Sequence, residues 1–297
     1  MEPIVILCKS HAKDLLRAKR LAQSLATFNR DAIPVYVCMP KPQMALFEEH
    51  LDGFDVRLIT DEQVLARAEE AIGDQGRTLA KIPAHLVQQV VKAEFWRLGL
   101  GANTLVVDSD SYFIRPFCRS DLLWREDIPF TVMHEGKELL QFAARSGLAK
   151  VVRDYRELRR HFQQLFGLTG PLWDFGPTPV IWSSKVWESL ARDYAAPRQT
   201  HTVALICEHP CEMLWYGNHL VASGVVPLVP IEPLFKCYHY RQQFEEAGRL
   251  GETEAVVARN FFGVVIQSNW DPSLDWPAET GGRSWWRRWK RADAGTR

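Results

Sequence analysis

Asp108 and Asp110, one residue apart around Ser109, close the apolar run Leu105-Val106-Val107. An unpaired charge in apolar surroundings costs several kcal/mol or is removed by protonation. Two carboxylates at the end of a buried strand therefore call for an opposite charge. A hard divalent cation held by oxygen ligands, with a substrate phosphate behind it, supplies that charge. The plain alternative is a strand that ends in a polar turn. A second apolar run, Tyr112 to Ile114, follows, and Pro116 closes it.

The elements ahead of the acids alternate strand and helix. Ile4 to Cys8 reads as a strand and leads into a helix from about Ala12 to Phe28, with Leu15, Ala18, Leu21, Ala22, Leu25 and Phe28 on one face. Val35 to Cys38 and Asp55 to Ile59 read as further strands, and Thr60 or Asp61 caps the helix after the second. Residues 73–83 read as a loop. A helix from about Ala84 to Leu98 buries Val87, Val91, Phe95 and Leu98, and the fourth strand delivers Asp108. Repeated strand–helix units imply parallel strands with right-handed crossovers. Ligands of open parallel sheets collect at the carboxyl ends of the strands, where Asp108 and Asp110 fall.

The second half is less regular. One or two Arg-rich helices span 139–166, and 169–179 is a proline-rich aromatic loop. Val180 to Trp182 is a strand, and Lys185 to Tyr194 and Cys211 to Ala222 are helices; Val225 to Pro230 and Val264 to Ser268 are strands.

Composition narrows the class. Apolar residues make up 46% and charged residues 24% of the 297, ordinary for a globular chain with material for one large α/β domain. Formal net charge is zero, so no global field recruits nucleic acid. The N-terminus has neither the basic start nor the apolar length of a signal peptide, and no apolar run approaches the roughly 18–20 residues that span a bilayer; the expected location is cytoplasmic. The six cysteines fit the role of small buried hydrophobes. Cys207 and Cys211 with His201, His209, His219 and His239 match no closed zinc-site spacing.

Taken with its companions, the acid pair resembles a GT-A-type glycosyltransferase, in which an Asp-x-Asp motif holds a metal on a sugar-nucleotide diphosphate. The companions are Lys92-Ala-Glu-Phe-Trp-Arg-Leu, Phe113-Ile-Arg-Pro-Phe, Glu212 with Tyr216-Gly217-Asn218, and Ser268-Asn269-Trp270. The ordered set resembles a poorly characterised bacterial group of that superfamily over about residues 3–272.

The resemblance implies an α/β, GT-A-like (Rossmann-like) fold: a mixed, mainly parallel sheet flanked by helices, in a single domain over 1–275. Residues 1–110 would form its nucleotide-binding half and 111–275 its acceptor-binding half. It implies Mn²⁺ or Mg²⁺ on Asp108 and Asp110, with Ser109 between them, and a UDP- or GDP-sugar as donor. Lys9, Ser10 and His11 would meet the nucleotide; Gln88, Gln89 and Lys92 share one side of their helix, with Lys92 along the phosphates. His239 is the candidate third metal ligand, ahead of His219 and Asp271. An inverting enzyme needs a carboxylate to deprotonate the acceptor; Glu212 is the first candidate and Asp174, between Trp173 and Phe175, the second. A retaining enzyme does not require that base. The implied acceptor is a glycan, a lipid-linked sugar or another envelope component.

The basic tail over 276–297 adds a partner. Trp285, Trp286 and Trp289 share a helical face amid Arg287, Arg288, Lys290 and Arg291, a pattern suited to peripheral contact with a membrane surface. A solvated tail or one docked on the domain is the alternative. Three rival readings are weaker. A phosphatase-like hydrolase carries Asp-x-Asp on its first strand, not its fourth. A nucleotidyltransferase would show a Gly-rich phosphate loop. A nucleotide-sugar-binding protein without turnover is separated from the enzyme only by assay.

Overall fold

The structure, a computed structural model, describes residues 1–73 and 82–276. Most of the loop read over 73–83 lies outside the described residues, as does the tail with Trp285, Trp286 and Trp289.

Strand β1 (Glu2–Lys9) is buried on both faces. Ile4, Ile6 and Cys8 join one apolar cluster, and Val5 and Leu7 a second on the opposite side. Such a strand needs helices above and below it. After a short 3-10 turn, α1 (Leu15–Phe28) covers the first face with Leu15, Ala18, Leu21, Ala22 and Leu25. β2 (Val35–Met39) and α2 (Met44–Leu51) follow, then β3 (Arg57–Thr60) and α3 (Asp61–Ile72). Thr60 caps α3 in a capping box with Gln63. α3 and α4 (Val87–Glu94) cover the second face through Val64 and Val91. The helix expected over 84–98 is α only over 87–94 and tightens to 3-10 at Phe95–Leu98. β4 (Gly101–Asp108) completes four parallel strands in the order β3-β2-β1-β4, with Lys9 in register with Asp108.

β5 (Ser111–Phe113) begins three residues after β4 ends and belongs to a different sheet. The hairpin of β6 (Leu123–Arg125) and β7 (Ile128–Pro129) and the short β8 (Thr131–Val132) lead to a pair of helices, α5 (Lys137–Arg145) and α6 (Ala149–Leu165). β9 (Val180–Ser183) adds an antiparallel edge to the main sheet beside β4. α7 (Ser184–Ser189) runs on as a π-helical turn, and α8 (Thr202–Glu208) and α9 (Glu212–Ser223) follow. The strand expected over 225–230 is reduced to β10 (Pro230–Ile231) against β8. β11 (Phe235–Tyr238), α10 (Arg241–Arg249), α11 (Glu254–Val257), β12 (Gly263–Ile266) and a 3-10 turn (Pro272–Leu274) follow among the described residues. β11, β12 and β5 form the second sheet, in that order.

The result is a mixed α/β fold with a mainly parallel central sheet flanked by helices, as expected. Asp108-Ser109-Asp110 is the hinge between its two larger sheets. No helix of the described residues is long and apolar enough to cross a membrane.

Candidate active site

The two acids differ in what holds them. Asp108 Oδ1 lies 2.5 Å from the Lys92 ammonium, delivered by α4, and Asp108 Oδ2 accepts a 2.5 Å hydrogen bond from Thr178 in the loop before β9. Burial alone would raise the Asp108 carboxyl; Lys92 and Thr178 outweigh it and hold it below the usual carboxylate range. Asp110 Oδ2 accepts from the Ser268 amide at 3.0 Å, while Oδ1 is buried with no hydrogen-bond partner. Burial first, and then the charge of Asp108, push Asp110 up to about 7.

Lys92 sits between two acids, with Glu212 at 3.6 Å on its other side. Burial pulls this ammonium down, but Asp108 and then Glu212 prevail and keep it charged. Glu212, at the start of α9, is itself buried and raised by that burial. It stands behind Lys92 and lines neither of the two cavities near the acids.

The acids open into a polar pocket of ≈270 Å³, lined by Lys9, Ser10, His11, Asp14, Gln88, Asp108, Ser109, Asp110, Gln267, Ser268 and Asn269. The expected nucleotide side thus gathers around the acids, with Gln88 rather than Gln89 on the wall. Lys9 is committed elsewhere: its buried ammonium bonds the Ser10 carbonyl at 2.7 Å and pairs with Asp61 at 3.2 Å. Sequence reading missed Asp61, Thr178 and Asp14. Of these only Thr178 had a signal, its place in the rigid Gly-Pro-Thr-Pro segment.

Asp14 reaches the pocket through a buried clamp. Arg17, 1% exposed, pairs with Asp14 at 2.8 Å and Asp275 at 2.6 Å and donates to the Asp271 carbonyl. It pins the segment after β12, and with it Ser268, to α1.

The donor set fits a hard cation. Asp110 has a spare buried oxygen, and the Ser10 hydroxyl is also buried without a partner. Lys9, Arg17 and Lys92 stand against Asp14, Asp61, Asp108, Asp110 and Glu212, an excess of acid that would repel a diphosphate unless a cation came with it. Among the described residues no group of three or more His, Cys, Asp or Glu side chains is placed to hold an ion. A cation here would complete its shell from phosphate and water, as Mg²⁺ commonly does.

A second cavity of ≈930 Å³, lined in part by His239 and Asp174, shares no lining residue with the first; the two walls meet where His239 faces Gln267. His239, proposed as a metal ligand, is therefore separated from the acids by Gln267, whose amide lies 3.3 Å from its Nδ1. Burial lowers its pKa. Asp174 is saturated: Oδ1 accepts from the Phe175 and Gly176 amides, and Oδ2 accepts from the Tyr155 hydroxyl at 2.8 Å and from Arg159 at 2.6 Å. Burial would raise it, yet Arg159 and then His134 keep it below the ordinary range. His219 and Asp271 stand apart from the acids, His219 against Ser189 and Asp271 beside Arg17.

Residues 3–225 match the family of unknown function DUF6492, and the chain belongs to that family. No curated protein sequence matches it. Among solved structures it is similar to mouse xyloside xylosyltransferase 1 in its apo form, at 10% sequence identity and a TM-score of 0.46, over 90% of this chain and 99% of that one.

Proposed function

We propose that this chain is a metal-dependent glycosyltransferase that moves a sugar from a UDP- or GDP-sugar to the hydroxyl of a glycan or lipid-linked acceptor. The observation that carries the reading is Asp110, a buried carboxylate with one oxygen unpartnered, beside a second carboxylate at the hinge of two sheets. Keeping such a group buried against its desolvation cost supports a ligand for it. When bound, a divalent cation there would neutralise the charge that develops on the departing nucleoside diphosphate.

The remaining work falls to the chain. Lys92 and Thr178 fix Asp108, so that its orientation does not depend on the ligand. The Ser268 amide fixes Asp110 and leaves Oδ1 free to bind. Ser10 and Gln88 offer polar contacts to the nucleotide, and Lys9, held by Asp61, keeps the end of β1 in place.

The two acids considered as bases are both engaged, Glu212 by Lys92 and Asp174 by four donors. That supports transfer on one face of the sugar with retention of configuration. The acceptor oxygen bonds to the anomeric carbon as the carbon–diphosphate bond breaks, and the acceptor proton leaves with the diphosphate. Glu212 and Asp174 then act as positioning residues.

A thermal-shift series with UDP, GDP and their sugars, with and without Mn²⁺, tests the reading on wild type and Asp110→Ala. The expected result is metal-dependent stabilisation of wild type only, about 2.7 kcal/mol at a ligand concentration near 100 Kd. If no nucleotide stabilises the protein in a metal-dependent way, the reading fails. Proton NMR of the first product anomer checks the retention separately.

A further inference from the structure

We infer that the ≈930 Å³ cavity takes an acceptor whose reacting hydroxyl is carried on an apolar body, aromatic or isoprenoid in character, rather than a bare sugar chain. The inference rests on the transferase reading, which gives the acid pocket a reason to have a second cavity at its side. The volume lies in the upper part of the range of small-molecule sites.

The decisive feature is how the polar groups of the walls are spent. His134 Nδ1 accepts from the Gly136 amide at 3.0 Å, and its Nε2 meets the Gly176 carbonyl. Asp174 is saturated by Tyr155, Arg159 and two amides. Gln243 Oε1 accepts from the His239 amide at 2.9 Å. Glu138 pairs with Lys236, and Glu135 with Lys137. These pairings occupy much of the polar lining; beyond Glu232, His239 Nε2 and the Gln243 amide nitrogen, a ligand meets mainly the surfaces of Met133, Leu139, Trp173, Met213, Ile231 and Phe261.

A sugar chain brings several hydroxyls, each of which must find a partner when it loses water. These walls offer such a chain few. An apolar body asks for none, gains from the burial itself, and meets in Met133 and Met213 side chains that adapt to its outline.

The cavity also has a polar end, at Arg159 and Asp174. Arg159 Nε is buried without a partner, beside Asp174. Cys211 on the wall precedes Glu212, and Gly176 and Pro177 precede Thr178, the residue bonded to Asp108. The inner wall thus runs next in sequence to residues of the Asp108–Lys92–Glu212 cluster, and the two cavities approach each other where His239 faces Gln267, the side from which a reacting hydroxyl would arrive.

Isothermal titration of the full chain with 2-naphthyl β-glucoside and octyl β-glucoside, against methyl β-glucoside and maltose, tests this. At least one apolar glucoside should bind tenfold or more tighter than methyl glucoside, and the two together separate aromatic from aliphatic preference. Leu139→Arg should remove that advantage while the Mn²⁺- and nucleotide-dependent thermal shift stays at its wild-type value. Trp173→Ala, which deletes wall surface without adding a charge, provides the same reading should the arginine disturb folding. Equal binding of maltose and the apolar glucosides, or apolar binding unmoved by both variants, overturns the inference while the nucleotide shift persists. Absence of the nucleotide shift in wild type removes the transferase reading beneath it.

Discussion

Lys92 and Asp110 make opposite contributions to stability, and each contribution follows from its partners. Lys92 neutralises two buried carboxylates, Asp108 at 2.5 Å and Glu212 at 3.6 Å. Lys92→Met would leave both unpaired, and loss of one partner from a buried ion pair costs about 3–5 kcal/mol. Urea unfolding should show that loss, and adding Glu212→Gln to Lys92→Met should recover part of it. A cost of under about 1 kcal/mol in the single variant would contradict the assignment. Asp110 has the reverse sign. Its folded pKa is raised from 3.8 to about 7 by burial and by Asp108, so stability is lost as pH climbs through that window. Asp110→Asn should therefore unfold at higher urea than wild type at pH 8, by on the order of 1 kcal/mol, while its metal-dependent nucleotide shift disappears. A residue whose removal stabilises the fold and abolishes binding is retained for binding.

At the scale of elements, the loop before β9 depends on a glycine in α9. Any Cβ on Gly217 would run into the Phe175 ring, which holds that loop against the helix and so places Asp174 and Thr178. Helix propensity alone favours Ala over Gly by about 1 kcal/mol. Gly217→Ala should nevertheless destabilise by about 1–3 kcal/mol, the usual effect of overpacking, and should weaken nucleotide binding through Thr178. A melting temperature at or above wild type would show that the loop has room to give. The sequence discloses such contacts unevenly. The strand–helix units up to Asp108 and the acid pair at their end are legible because each is a local pattern: the β1 run, the α1 face, an apolar strand stopped by charge. The second sheet is not, since β5 pairs with β12 from some 150 residues away and nothing local marks that partner. Nor is the diversion of Lys9 to Asp61, because a lysine after a strand reads the same whether it meets phosphate or a carboxylate. Glu212 was legible as a site residue but not its concealment behind Lys92, which only the packing of α4 on α9 decides.

For the molecule as a whole, one separable part of the response to mild acid comes from a histidine outside the site. His219 on α9 is buried, with its Nε2 3.0 Å from the Ser189 hydroxyl of α7. Burial pushes it down to about 4 from its ordinary 6.5, against the weaker pull of Asp193. Between those values the unfolded chain binds a proton that the folded chain refuses, so stability falls as pH drops through 6.5 and stops falling near 4. The buried acids Asp61, Glu94 and Glu212, all raised by burial, push the other way, because they take up protons more readily folded than unfolded. The net slope of the wild type thus mixes both signs, and the difference between two proteins isolates one of them. His219→Gln keeps a polar partner for Ser189 and removes the titration. Between pH 7.5 and 5.0 the wild-type melting temperature should fall further than the variant's by on the order of 3 °C, and the two curves should run parallel above pH 7.5. Parallel curves across the whole range would mean that α9 admits the proton without cost and that His219 is not sealed into the core.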